Sequence, residues 1–137
     1  LDFRRQRQMC IRDRSRVVLP KSIELSIASD QLGAVGGFIH SLHTQDFDLM
    51  RISLKDYLVE KYRADCVPVF NQIKSLAEIN NTICCSISGS GPSIFTLVNT
   101  NEEAQRLKLL FDRVYKSNNL EFNSYITPLN SKGVHVV

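Results

Sequence analysis

The stretch Ser86-Ile87-Ser88-Gly89-Ser90-Gly91-Pro92-Ser93 constrains this 137-residue chain more than any other. On one side stands Thr82-Ile83-Cys84-Cys85, on the other Ile94-Phe95-Thr96-Leu97-Val98. Short β-branched and apolar runs bounded by Gly and Pro predict buried strands, so 86–93 is expected to be a tight strand-to-strand loop. Gly89 and Gly91 can take positive φ and let the backbone come close to a neighbour. Pro92 fixes its own φ and removes one donor. The hydroxyls of Ser88, Ser90 and Ser93 and the remaining amides would then line a small concavity. Successive N–H groups of that kind suit an anion such as phosphate. The plainer reading is a hairpin turn, and on the loop alone both stay open.

The rest of the chain supplies helices around these strands. Residues 16–20, Arg-Val-Val-Leu-Pro, read as a short extended run stopped by proline. Ala28, Leu32, Val35, Ile39 and Leu42 recur at helical spacing and predict a core-facing stripe, with Ser26 as N-cap and Asp30 in the first turn. Gly33, Gly36 and Gly37 within that helix suggest that another backbone comes close. Asp46 is expected to cap a second helix running to about residue 59, and 63–79 a third with Pro68 in its first turns. Asn80-Asn81 signals a stop. After the two strands, Thr100-Asn101-Glu102-Glu103 is a capping box, and the helix it opens should end at Ser117-Asn118-Asn119. Residues 122–129 and 134–137 read as two further strands. The expected fold class is α+β, a four-stranded, mostly antiparallel sheet covered on one face by helices.

Charge and cysteines exclude several classes. The net charge of +3 is concentrated in residues 1–15, where five arginines face Asp2 and Asp13, and 12 basic and 12 acidic side chains remain elsewhere. The folded part therefore has no electrostatic case for nucleic acid. Residues 1–15 show no helical or strand period and are expected to be a non-native or disordered leader, the alternative being a basic nucleic-acid arm. No run approaches the roughly 20 apolar residues of a membrane span. No signal peptide is visible either, so no membrane partner and a cytoplasmic location are expected. Cys10, Cys66, Cys84 and Cys85 have no ligand spacing, and the neighbours Cys84 and Cys85 face opposite sides of a strand. Reduced, buried thiols are expected, and with His40, His43 and His135 equally unpatterned, no metal ligands.

Three stretches then line up in order: Arg16-x-x-Leu19-Pro20; Asp56-x-x-x-Glu60-x-x-Arg63 with Pro68-x-Phe70; and Ser86-x-Ser88-Gly89-Ser90-Gly91-Pro92-Ser93-x-Phe95. Together they resemble the C-terminal half of the homoserine kinase branch of the GHMP small-molecule kinase family, over 16–137. The resemblance implies a ferredoxin-like GHMP kinase C-terminal domain, with the N-terminal nucleotide-binding half missing. It implies ATP and L-homoserine as substrates, Mg²⁺ as cofactor, and room for a homodimer of the full-length enzyme. The serine-glycine loop, from Ser88 and Gly89 to Pro92 and Ser93, would lie beside the nucleotide's phosphate loop. Arg16 and Arg63 would hold the substrate carboxylate, a task that suits the guanidinium fork. The bland alternative for both is an ion pair with Asp56, Glu60 or Asp13. Arg12 stands where the family has Thr, and no Gly-Leu-Gly-Ser-Ser phosphate loop is present, so the fragment is expected to be inactive alone. An amino-acid-binding ferredoxin-like regulatory module and a different GHMP kinase are the alternative functions.

Overall fold

The computed structural model describes residues 16–129. Helix α1 spans Leu25–Thr44 and ends where Gln45 turns left-handed (φ 56°), its N–H bonded to Ser41 O. Its N-cap is Glu24 rather than Ser26, which lies inside the first turn and donates to Glu24 Oε2 at 3.4 Å. Asp46 caps α2 as expected, accepting from Leu49 N at 2.9 Å, but α2 covers only Phe47–Ser53. Beyond it the chain is irregular until the Asp56 carboxylate accepts from the amides of Leu58 (2.8 Å) and Val59 (2.7 Å). A short α3, Glu60–Arg63, runs into a 3₁₀ turn at Ala64–Cys66. Helix α4 then covers Phe70–Ile79. The single helix expected over 63–79 is therefore broken, and Pro68 stands in the break. Proline disfavours helical backbone at the residue before it, and Val67 is extended (φ −111°, ψ 111°).

Strands β1 (Cys84–Ile87) and β2 (Ile94–Leu97) pair antiparallel, Cys84 opposite Leu97 and Ile87 opposite Ile94. The ladder takes in Ser86 and Ile87, so the loop narrows to 88–93. Helix α5, Asn101–Ser117, starts with the expected capping box between Thr100 and Glu103. It gives way at Asn119, which is left-handed (φ 54°).

Two strands, not four, occur among the described residues. Residues 122–129 carry no regular structure. Their side chains tie them to α5 instead: Phe122 stacks on Tyr115 at 5.0 Å, and Ser124 Oγ donates to Asp112 Oδ1 at 2.7 Å. The alternation that reads as a strand is an anchored coil. Residues 1–15 and the strand expected at 134–137 lie outside the described residues. Residues 16–20 are not extended either: Arg16 and Val17 are helical and Leu19 N bonds Arg16 O at 3.2 Å.

The core lies between α4, α5 and one face of the hairpin. Ile73, Ala77 and Cys85 are buried there against Ile94, Phe111, Val114 and Tyr115. Helix α1 contradicts its sequence pattern, since Leu32 is 74% and Ile39 50% exposed. Of its glycines only Gly37 meets a neighbour among the described residues, where an added Cβ would run into Ser53 Oγ.

Candidate functional site

Segment 56–63 and loop 88–93 meet at one side of the hairpin. Arg63 Nη1 donates to Gly89 O at 2.7 Å. Glu60, one turn earlier on α3, is engaged by Lys74 Nζ of α4 and accepts from Ser86 Oγ of β1 at 2.9 Å. Its side chain is only 12% exposed. Two of the carboxylates expected as alternative partners of Arg63 are engaged by other groups, and the third, Asp13, lies outside the described residues. Glu60 serves Lys74 and Ser86, and Asp56 caps its own turn. Lys74, absent from the sequence argument, fastens the site. Its spacing of 14 residues from Glu60 gave no signal.

The loop is a tight turn. Ser88 N donates to Ser93 O at 2.8 Å and Gly91 N to Ser88 O at 3.1 Å, so two of its amides are committed inside it. Gly89 and Gly91 both take positive φ, 61° and 77°. A Cβ on Gly91 would lie 2.8 Å from Val67 Cγ2, which is why the backbone can close against the 3₁₀ turn. Ser88 and Ser93 are exposed, Ser90 half-buried, Pro92 exposed.

Arg16 is exposed, at the first helical position of the described chain. A cavity of about 280 Å³ opens on the other face of the hairpin, lined by Gln31, Val35, Asp56, Cys84, Ser86 and Phe95 among others. A second, of about 240 Å³, lies between Glu24, Tyr57, Lys61 and Tyr62. Neither is lined by Arg16 or Arg63. Gln31 closes the first cavity's rim by accepting from Tyr57 N at 2.9 Å. Burial pushes the Cys84 thiol up to about 11, with the neighbouring Cys85 adding to the shift. Cys85 is raised by burial as well, and the two side chains lie on opposite faces as the sequence predicts. No cluster of His, Cys, Asp and Glu among the described residues could hold a metal ion. No helix there is long and apolar enough to cross a membrane.

The family described as GHMP kinases C terminal matches residues 38–116. The chain belongs to this family. It is 34% identical over 125 residues to a homoserine kinase of Chlorobaculum tepidum, and 36% identical to one of Chlorobium phaeobacteroides. Each match takes in 90% of this chain and 39% of the relative. The crystal structure of homoserine kinase from Cytophaga hutchinsonii superposes with a TM-score of 0.75 at 38% identity, covering 78% of this chain and 34% of that one. The chain therefore spans well under half the length of the relatives it matches. The α+β architecture is that of a GHMP kinase C-terminal domain.

Proposed function

We propose that this chain is the C-terminal part, residues 16–137, of a homoserine kinase. The parent would move the γ-phosphate of ATP to the side-chain hydroxyl of L-homoserine, giving O-phospho-L-homoserine for threonine biosynthesis in the cytoplasm. The observation that carries the reading is the bond from Arg63 to Gly89 O, which brings together two of the three recognised motifs. A guanidinium fork suits a small carboxylate, which it can pair bidentately. Arg63 and Arg16 hold the homoserine carboxylate in this reading. Loop 88–93 lies beside the nucleotide's phosphates, using amides other than the two spent inside the turn.

Mg²⁺ is the cofactor in this reading; the described residues alone offer no cluster of His, Cys, Asp and Glu to hold it, and no step is assigned to it. Residues 1–15 are a leader outside the domain, and the upstream half supplies the nucleotide cradle. The complete enzyme in this reading has a four-stranded, ferredoxin-like sheet, is a homodimer and needs neither nucleic acid nor membrane.

The test replaces the matched 125 residues of the Chlorobaculum tepidum relative with this chain's and follows homoserine-dependent ADP release. Phosphoryl transfer relies on positioning and on charge stabilisation by the phosphate cradle, so the isolated chain should be silent and the hybrid active. In the hybrid, Arg63→Lys and Arg16→Lys should raise the homoserine KM by roughly ten- to a hundredfold, the cost of a charge-assisted hydrogen bond. The KM for ATP should hardly move. Turnover by the isolated chain, or an unchanged homoserine KM with a lowered melting point, would overturn the assignment.

A further inference from the structure

Helix α3 is four residues long, and its N-cap Val59 has no side-chain cap. A helix that short has no stability of its own, so its orientation is set by what grips it. The grip is Glu60. Its Oε1 is engaged by Lys74 Nζ and its Oε2 accepts from Ser86 Oγ at 2.9 Å, so one carboxylate ties α3 to both α4 and β1.

Lys74 stands on the firm side of this joint. Its helix sinks Phe70, Ile73 and Ala77 into the core at 1, 1 and 0% exposure. Its ammonium lies 5.8 Å from the centre of the Phe70 ring, within cation–π range. Of the two donors on Glu60 the ammonium is the stronger, since charge-assisted hydrogen bonds are roughly twice as strong as neutral ones. The Ser86 hydroxyl alone is the weaker hold.

Glu60 and Arg63 are three residues apart, neighbours on one side of a helix. Glu60 reaches Ser86, two residues before the loop opens at Ser88, and Arg63 Nη1 donates to Gly89 O in that loop at 2.7 Å. A carboxylate released by Lys74 would find Arg63 at pairing distance along the helix. A pair there would compete with Gly89 O for the guanidinium. We propose that Lys74 is a positioning residue, which keeps Arg63 on loop 88–93 by holding Glu60 against β1 and α4. Its consequence for substrate rests on the carboxylate role given to Arg63 above, so placement and consequence are measured separately.

Placement is read on the 137-residue chain by amide exchange. Lys74→Met keeps the stem over Phe70 and frees the Glu60 charge. It should speed exchange in 88–93 by about fivefold, the worth of one net hydrogen bond. The amides of Ile73 and Ala77, which report opening of the core, should not change. Lys74→Arg should behave as wild type. Adding Glu60→Gln to Lys74→Met removes the stray charge and should slow the loop again, a reversal that simple loss of packing would not give. Lys74→Gln, which keeps a neutral donor, is the second variant should Lys74→Met lower the melting point, and the same reversal is expected in it. A loop unmoved by Lys74→Met, or moved together with Ile73 and Ala77, would overturn the proposal. A double variant no slower than Lys74→Met would overturn it equally.

The consequence is read in the Chlorobaculum tepidum hybrid. Lys74→Met should raise the homoserine KM about fivefold, and adding Glu60→Gln should bring it back, with kcat and the KM for ATP steady. A hybrid that responds to Arg63→Lys but not to Lys74→Met would overturn the positioning role. If neither substitution moves the homoserine KM while loop exchange follows the expected reversal, the carboxylate role of Arg63 falls and its placement by Lys74 stands.

Discussion

Arg63 and Gly89, 26 residues apart in the chain, are joined by a 2.7 Å hydrogen bond from the guanidinium to the backbone carbonyl. The bond needs a cation at the end of α3 and a loop whose carbonyl faces out, a geometry Gly89 reaches with φ 61°. Charge-assisted hydrogen bonds contribute more than neutral ones, and partial exposure of Arg63 reduces the gain. Arg63→Met should cost about 1 kcal/mol in chemical denaturation, with faster amide exchange confined to 88–93. An unchanged exchange pattern would mean that the loop holds its shape without the arginine.

Glu60 is the better-buried partner in the same region. Glu60→Gln keeps the shape and an acceptor for Ser86 but removes the charge facing Lys74. Loss of a partly buried ion pair should lower stability by about 1–2 kcal/mol, below the range for a fully buried pair because Lys74 is one-third exposed. A denaturation curve for Glu60→Gln matching wild type would show that Lys74 turns to solvent at no cost.

The loop glycines should not be equivalent. At Gly89 an alanine meets open space and bears only the left-handed backbone penalty, about 1–2 kcal/mol. At Gly91 the same penalty applies, and the new Cβ also lies 2.8 Å from Val67 Cγ2. Gly91→Ala should therefore be the more destabilising substitution in paired thermal melts. Val67→Ala should restore part of the loss only in the Gly91→Ala background.

Thiol reactivity should follow burial. Cys66 is exposed, whereas Cys84 and Cys85 are buried. With Cys84 raised to about 11, roughly one molecule in a thousand carries its thiolate at pH 8. Iodoacetamide should label Cys66 within minutes and Cys84 and Cys85 only on unfolding, as peptide mapping would show. Early modification of Cys84 would mean that its cavity opens readily.

Asp112 links α5 to the segment after it. Burial alone would raise its carboxyl, but hydrogen bonds from Lys108 and Ser124, with the Lys108 and Lys116 charges, hold it below the ordinary value. A depressed carboxylate contributes stability that is present above the unfolded pKa and lost as pH falls through the folded one. Asp112→Asn should therefore be less stable than wild type at pH 7, the gap closing as pH drops below about 4. A difference that stays constant down to pH 2 would make the effect one of shape, not charge.

Local signals were the legible ones. The caps at Asp46 and Thr100, the asparagine stop at Asn119 and the glycine turn each act through neighbouring backbone, and each is where the sequence put it. Patterns that depend on distant partners misled. The α1 stripe reads as core because periodicity reports amphipathicity without saying what covers it. Residues 122–129 alternate like a strand, yet Phe122 and Ser124 spend their contacts on Tyr115 and Asp112 of α5. The motifs around Arg63 and the serine-glycine loop were visible as strings. Their meeting through Glu60, Ser86 and Lys74 was not, because no fixed spacing links residues brought together by tertiary packing.

Arg51 gives the architecture a seam. From α2 it donates to Thr82 O at 3.2 Å and Asn81 O at 3.3 Å, at the junction of α4 and β1. The α1–α2 hairpin thus hangs on the body by a few polar clasps, with Gln31 as another at Tyr57. Elements fastened this way open as cooperative units below the global unfolding free energy. The hairpin would swing away as one piece while the α4–α5 layer stayed folded, making it the hinge leaf of the domain.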